Sequence, residues 1–218
     1  MAGIEIKVQL EGFNRMRAFV AGMEGKLQKA AAKAVNDTAK AAAEELNAST
    51  RNVFDRPNKF TQRAAFVSQY ATASNPSAEV ALRPLQAQYL RPQIVGGQRP
   101  AKPSERRLAA SSPSLNGRAA WRPGIDAGRD ASGNIRRRQL VDALSGKDPR
   151  SFLLTQQRGK LRPGVYQRMA RGKLRNVLAF GQLPTLARRW DVERIGRNAV
   201  SRAWPAAIRR RLDEVLKG

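Results

Sequence analysis

Over residues 3–10 polar and apolar positions alternate, with Ile4, Ile6, Val8 and Leu10 on one side and Glu5, Lys7 and Gln9 on the other, which predicts a half-buried strand. After Gly12 the period changes. Phe13, Met16, Val20, Met23, Leu27, Ala30 and Ala34 recur at steps of three and four, and the pattern runs on through "KAAAKAVNDTAKAAAEELNAST". One long amphipathic helix over about 13–52 is expected. Gly22 and Gly25 are the places where it can divide, because glycine costs about 1 kcal/mol relative to alanine inside a helix. A stripe of alanines lets a neighbour approach closely, so this helix is expected to lie against a sheet or against a helix of another subunit.

The turn "NVFDRPNKFT" leads into two strands, about 64–72 and 78–83, joined by "SNPS". Residues 84–134 show the least regular pattern and hold many of the prolines and glycines. A long arm is expected there, with a short helix near 103–110 capped by Ser104, ordering on a neighbouring subunit. "IRRRQLVDALSG" (135–146) predicts a second short helix and Phe152–Leu154 a strand. "GVYQRMARGKLRNVLAF" (164–180) predicts a hairpin turning at "ARGK", with Val165, Gln167 and Met169 on one face and Tyr166 and Arg168 on the other. The tail predicts two helices, the second starting near Pro205.

The fold class expected is α+β: a long N-terminal helix on a small, mostly antiparallel sheet, a long irregular insertion, and a C-terminal helix. Residues 1–83 form the core's first part, 84–150 the arm with its short basic helices, and 151–218 the hairpin and helices that complete the core.

Charge changes this picture from a fold to a function. The formal net charge of the 218-residue chain is +24, and it is unevenly spread: residues 1–88 hold 12 Lys+Arg against 8 Asp+Glu, residues 89–218 hold 29 against 9. An excess of this size favours polyanions or acidic protein surfaces. The candidate DNA- or partner-facing residues are Arg106 and Arg107, Arg136, Arg137 and Arg138, the hairpin set Arg168, Arg171, Lys173 and Arg175, and Arg188 with Arg189. The cluster Arg209–Arg211 belongs to the same basic half. Its aromatics, Tyr89, Trp121, Phe152, Tyr166, Phe180, Trp190 and Trp204, are sparse and follow no nucleic-acid-binding spacing, so contact with a DNA backbone is expected and base reading is not.

With no cysteine and no histidine, the chain lacks thiolate metal ligands and the commonest general base. No phosphate-loop, nucleophile-elbow or zinc-protease motif is present, and Asp126, Asp130, Asp142 and Asp148 are scattered among arginines. "VGGQR" (95–99) is open to a tight turn or an anion nest, the turn being favoured. No catalytic residue, metal or cofactor is expected; a nuclease with an unrecognised site is the enzymatic alternative. The alternating N-terminus is no signal peptide, and no apolar run reaches the roughly 20 residues of a membrane span. A soluble protein made in a cytoplasm, without a membrane partner, is expected.

Three stretches in this order, "YLRPQIVGGQR" (89–99), "DASGN" (130–134) and "GVYQR" (164–168), follow the N-terminal strand and Ala-rich helix and precede "RNVLAFGQLPTLARRWDV" (175–192). In this order the chain resembles the minor tail protein Z and tail-completion (neck) proteins of long-tailed bacteriophages. The resemblance implies a structural virion protein, assembled in the host cytoplasm as a homo-oligomeric, hexameric ring at the head-proximal end of the tail. It implies neighbouring neck, tail-terminator and connector proteins as partners, and DNA in the lumen. It carries no catalytic residue. A non-sequence-specific nucleic-acid-binding protein acting outside a virion is the alternative from a different class.

Overall fold

The computed structural model describes residues 5–8, 24–146 and 148–217. The expected helix before residue 24, with Gly22, lies outside the described residues. The fold is α+β, and it divides into two compact units: residues 1–96 with 187–218, and the inserted segment 97–186.

In the first unit, β1 (Glu5–Val8), β2 (Ala65–Gln69) and β3 (Ala78–Leu82) form an antiparallel sheet in the order β1-β3-β2. Helix α1 (Glu24–Val53) packs against β2 and β3, and also against the C-terminal helix that ends the chain. Two neighbours explain the alanines. Ala31, Ala34, Ala39, Ala42 and Ala43 are all buried, since side chains this small let both a sheet and a helix approach the same cylinder. The close helix–helix contact the stripe invites is therefore made within one chain. Larger side chains then fill the remaining core: Leu46, Val80, Leu82, Leu90, Val200 and the fully buried Trp190.

Two asparagines fasten α1 to the edge strand β2 and to the chain just past its end. Asn47 Oδ1 accepts from the Ala65 amide (2.8 Å) while its Nδ2 donates to the Ala65 carbonyl (2.9 Å), and Asn36 does the same to Ala71 (2.7 and 3.0 Å). A side-chain amide presents the donor–acceptor pair of a missing strand, so these edge groups are satisfied although β2 has only one strand neighbour.

The stretch 84–134 is more ordered than its Pro and Gly content suggests. Pro84 occupies the first turn of helix α2 (Pro84–Val95), and Gly96 ends it with φ 80°. Leu90, Pro92 and Ile94 turn into the core, and the Gln93 carbonyl accepts from the Arg189 and Trp190 amides (2.8 and 2.9 Å). Much of "YLRPQIVGGQR" is thus framework of the first unit, and its paired glycines, Gly96 and Gly97 (φ 80° and 103°), form a tight exit.

The second unit begins and ends on a short ribbon, β4 (Gly97–Gln98) against β9 (Thr185–Leu186). Between them lie helix α3 (Pro103–Ser111), β5 (Ala120–Pro123), helix α4 (Arg137–Ser145), β6 (Ser151–Leu154), β7 (Gly164–Arg168) and β8 (Leu174–Gly181). The strands form an antiparallel sheet, β5-β8-β7-β6. The hairpin therefore pairs inside the insertion, and does not complete the first unit's core as the 151–218 boundary expects. A strand joins the sheet that offers it partners, and β5 comes from the stretch expected to be an arm. At the turn, Arg171 (φ 59°, ψ 32°) and Gly172 (φ 71°) both take positive φ, as the twist of a tight hairpin requires.

Two Arg-Pro-Gly tripeptides flank β8. The β8–β7 register slips between Val165 and Tyr166, and there a Cβ on Gly164 would collide with the Leu178 carbonyl; on the other flank a Cβ on Gly124 would collide with Asn176. Trp121, Val165, Val177 and Leu178 form the small core beneath α4, with Ile135.

The C-terminus is one helix, α5 (Val192–Lys217), which runs through Pro205 where a break was expected. Pro205 and Ser201 are both exposed, so the carbonyl that loses its partner faces water and the helix continues. It runs antiparallel to α1: Trp190 Nε1, just before α5, donates to Ser49 Oγ (2.8 Å), Arg202 pairs with Glu45 and Arg210 and Arg211 with Asp37.

Candidate functional site

The inserted unit concentrates the charge, holding 19 Lys+Arg against 5 Asp+Glu in 90 residues, net +14. What its acids do matters as much as their number. Glu105 is 1% exposed; it takes a bidentate contact from Arg99 (2.8 and 2.6 Å) and accepts from the amides of Lys102 (2.7 Å) and Trp121 (3.0 Å). Burial alone would raise its pKa, but Arg99 and the two amides outweigh that and hold it below the usual carboxylate range. The bond to Lys102 N starts helix α3, so Glu105 provides the cap that was expected of Ser104; Ser104 instead accepts from Trp121 Nε1 (3.1 Å). Lys102 Nζ lies 3.7 Å from the centroid of the same indole.

Asp126 accepts from the Asn176 amide (3.0 Å). Asp130 accepts from Ser132 N and Asn134 N (both 2.9 Å), so "DASGN" is a turn closed by its own aspartate, with Gly133 at φ 78°. Asp148 accepts from the Arg150 amide (3.0 Å), from Gln167 Nε2 and from Ser151 Oγ. The Arg150 amide first, then Gln167, brings its pKa down to about 2. Four of the five acids thus bind main-chain amides. Among the described residues of this unit the ion pairs are Arg99–Glu105 and Arg150–Asp148.

The expected cationic residues fall in different places. Arg136, Arg138 and Arg175 converge on one cleft of about 390 Å³, between α4 and the sheet face that carries Ser151 and Gln167. The loop before α4 is fixed by Arg136 N donating to the Gly128 carbonyl (3.0 Å) and Gly128 N donating to Gln139 Oε1 (2.8 Å). Arg175 is aimed by its Nε bond to the Asp126 carbonyl (2.7 Å). Arg150 completes the cleft. It stands alone in sequence, and the signal that could have marked it is only the Asp-Pro-Arg turn before β6. Arg137 is exposed on α4 outside the cleft lining. Arg168 lies on the opposite sheet face with its guanidinium 4.6 Å from the Phe152 ring centroid, and Phe152 in turn stacks on Tyr166. Arg171 and Lys173 are exposed at the hairpin tip, and Arg106 and Arg107 on α3.

Arg188 and Arg189 belong to the first unit. Arg188 pairs locally with Asp191 (3.2 Å), and Arg189 donates to the Val53 carbonyl (3.2 Å), which ties the stretch before α5 to the end of α1. Of the basic half's aromatics, Trp121, Tyr166 and Trp190 are buried and Phe152, Phe180 and Trp204 half-buried, leaving Tyr89 exposed. Among the described residues no three of His, Cys, Asp and Glu come together in a metal-binding group, and no helix is long and apolar enough to cross a membrane. Comparison with protein-family models, curated proteins and solved structures finds no match for this chain.

Proposed function

We propose that the protein is a structural subunit of a phage neck: a tail-completion, head–tail joining ring component at the head-proximal end of the tail. Its inserted unit faces the DNA passage or acidic neighbouring subunits. The observation that supports this most is the disposition of charge in that unit, four of whose five carboxylates bind its own main-chain amides while most of its arginines are left to face outward. A passage for DNA of any sequence needs contacts to phosphate that carry no base preference. The placement of the aromatics suits that requirement, because in the basic half only Tyr89 is exposed, and a single exposed ring is no platform for a run of stacked bases. The ordered series of resemblances along the chain gives the setting, and no catalytic role is part of the reading.

Light scattering on the purified protein and on protein released from particles, together with imaging of its position in intact virions, tests the proposal. The expected result is a closed ring whose mass is a multiple of 24.0 kDa, seated where tail meets head, and tails lacking it should fail to join heads. A lone subunit absent from particles, binding free DNA tightly and salt-sensitively, would replace it with the nucleic-acid-binding alternative.

A further inference from the structure

We propose that the cleft between α4 and the hairpin sheet is a phosphodiester-binding site that grips a nucleic-acid backbone through Arg136, Arg138, Arg150 and Arg175. The inference rests on the reading of the inserted unit as the polyanion-facing part of the chain, and adds where the polyanion is held.

Three separate elements bring guanidinium groups to one cavity of about 390 Å³: the start of α4, the turn before β6, and β8. Two of them are oriented in advance. Arg175 is held by the Asp126 carbonyl, and Arg150 by Asp148 (Nε to Oδ1, 3.2 Å). Arg136 and Arg138 are exposed at the mouth, where they can close over a bound group. Planar guanidinium forks match the oxygens of a phosphate, and fixing two before binding lowers the entropy cost of capture.

Asp148 is committed within the cleft wall: its Oδ1 accepts from Arg150 N and Nε and its Oδ2 from Gln167 and Ser151, so its charge is set against Arg150, and among the described residues it pairs with none of Arg136, Arg138 and Arg175. Asp142, on the α4 wall, is the opposing charge, so the arginines outnumber the aspartates of the lining four to two. The apolar members of the lining are Ala143 and Val177, which leaves no socket for a peptide side chain and no ring for a base. Those absences favour the sugar–phosphate backbone over an acidic protein segment.

The test uses the full-length protein and a fluorescently labelled mixed-sequence duplex, with anisotropy measured across a salt series. Arg136→Gln with Arg138→Gln should weaken binding at least tenfold and lower the salt slope by about two, one for each phosphate no longer neutralised. Arg106→Gln with Arg107→Gln removes the same charge from α3, outside the cleft, and should change affinity less than threefold. Asp142→Asn should tighten binding about threefold, the effect of deleting one repulsive charge several ångströms from a phosphate at high dielectric; Asp213→Asn on α5 should not. A gain of affinity cannot come from misfolding. Equal losses in the two arginine pairs, or no gain from Asp142→Asn, would overturn the site while the ring position and mass still decide the neck reading. Absence of duplex binding, or cleft-dependent capture of polyglutamate in its place, would overturn the phosphodiester assignment.

Discussion

Glu105 illustrates how a single side chain can serve as scaffold inside a charged unit. A carboxylate with 1% exposure is stable as an anion only because a bidentate arginine and two amides surround it. Glu105→Gln keeps the shape but leaves Arg99, itself 18% exposed, without its counter-charge, and is expected to destabilise the inserted unit by about 3 kcal/mol in denaturant unfolding. The same group gives the protein an acid limit. The folded-state pKa values of Glu105 and Asp148 lie below their unfolded values, so the stabilisation is complete above pH ~5 and is lost progressively as pH falls through the unfolded and then the folded values. For Asp148 that window ends near pH 2, and Asp148→Asn should flatten part of the stability loss between pH ~4 and ~2, measured by unfolding at stepped pH. Glu105 was legible as an ordinary helix residue, since nothing in "KPSERRL" announces the strand amide and the arginine that fold onto it.

Among the elements, α5 shows local chemistry yielding to packing. Pro205 reads as a helix start, yet Val192, Gly196, Ala199 and Val200 on one side of it and Ala207 on the other are all buried in a single helix. The burial of that whole face outweighs the one backbone bond a proline removes. Pro205→Ala restores the bond from residue 205 to the Ser201 carbonyl and is expected to raise stability by about 1–3 kcal/mol, read as a higher melting temperature. A fall in melting temperature would mean that Pro205 itself supports the contact with α1. The converse holds at α2, whose Pro84 start and Gly96 stop were visible as residues but were masked by Pro92 and by an apolar pattern without helical period. The hairpin and its turn were legible because their signals are local, alternation on both strands and a glycine at the turn, whereas the positive φ of Arg171 and the register slip at Val165 were not.

For the whole molecule, the division into two units, each with its own core, has thermodynamic consequences. The first core gathers α1, α5 and the three-stranded sheet, while the second rests on Trp121, Ile135, Val165, Val177 and Leu178. Less buried apolar surface means a lower opening free energy. Hydrogen exchange of the intact chain is expected to show two protected sets, with β6–β8 amides exchanging ahead of those in α1 and α5; a single cooperative set would contradict separate cores. The charge of the inserted unit adds to this difference, because close cations repel and salt relieves them, so added salt should slow exchange in β6–β8 more than in α1.

The sequence by itself determined the elements whose causes are near neighbours: the long alanine-rich helix, the two N-terminal strands, the hairpin and its turn, the basic half, and the α+β class that these add up to. Periodicity, turn residues and net charge are properties of adjacent positions and survive in a string. Tertiary structure alone decided that the hairpin pairs with β5 and not with the first sheet, and that the alanine stripe faces α5 of the same chain. It also decided which arginines share a cleft: Arg136, Arg138, Arg150 and Arg175 come together, while Arg168, next to Gln167 in sequence, lies on the far side of the sheet. The period of two along a strand sends neighbours to opposite faces, and the fold then chooses which face is covered. Charge is written along the chain, but the place where it can be used is set only when separate elements meet.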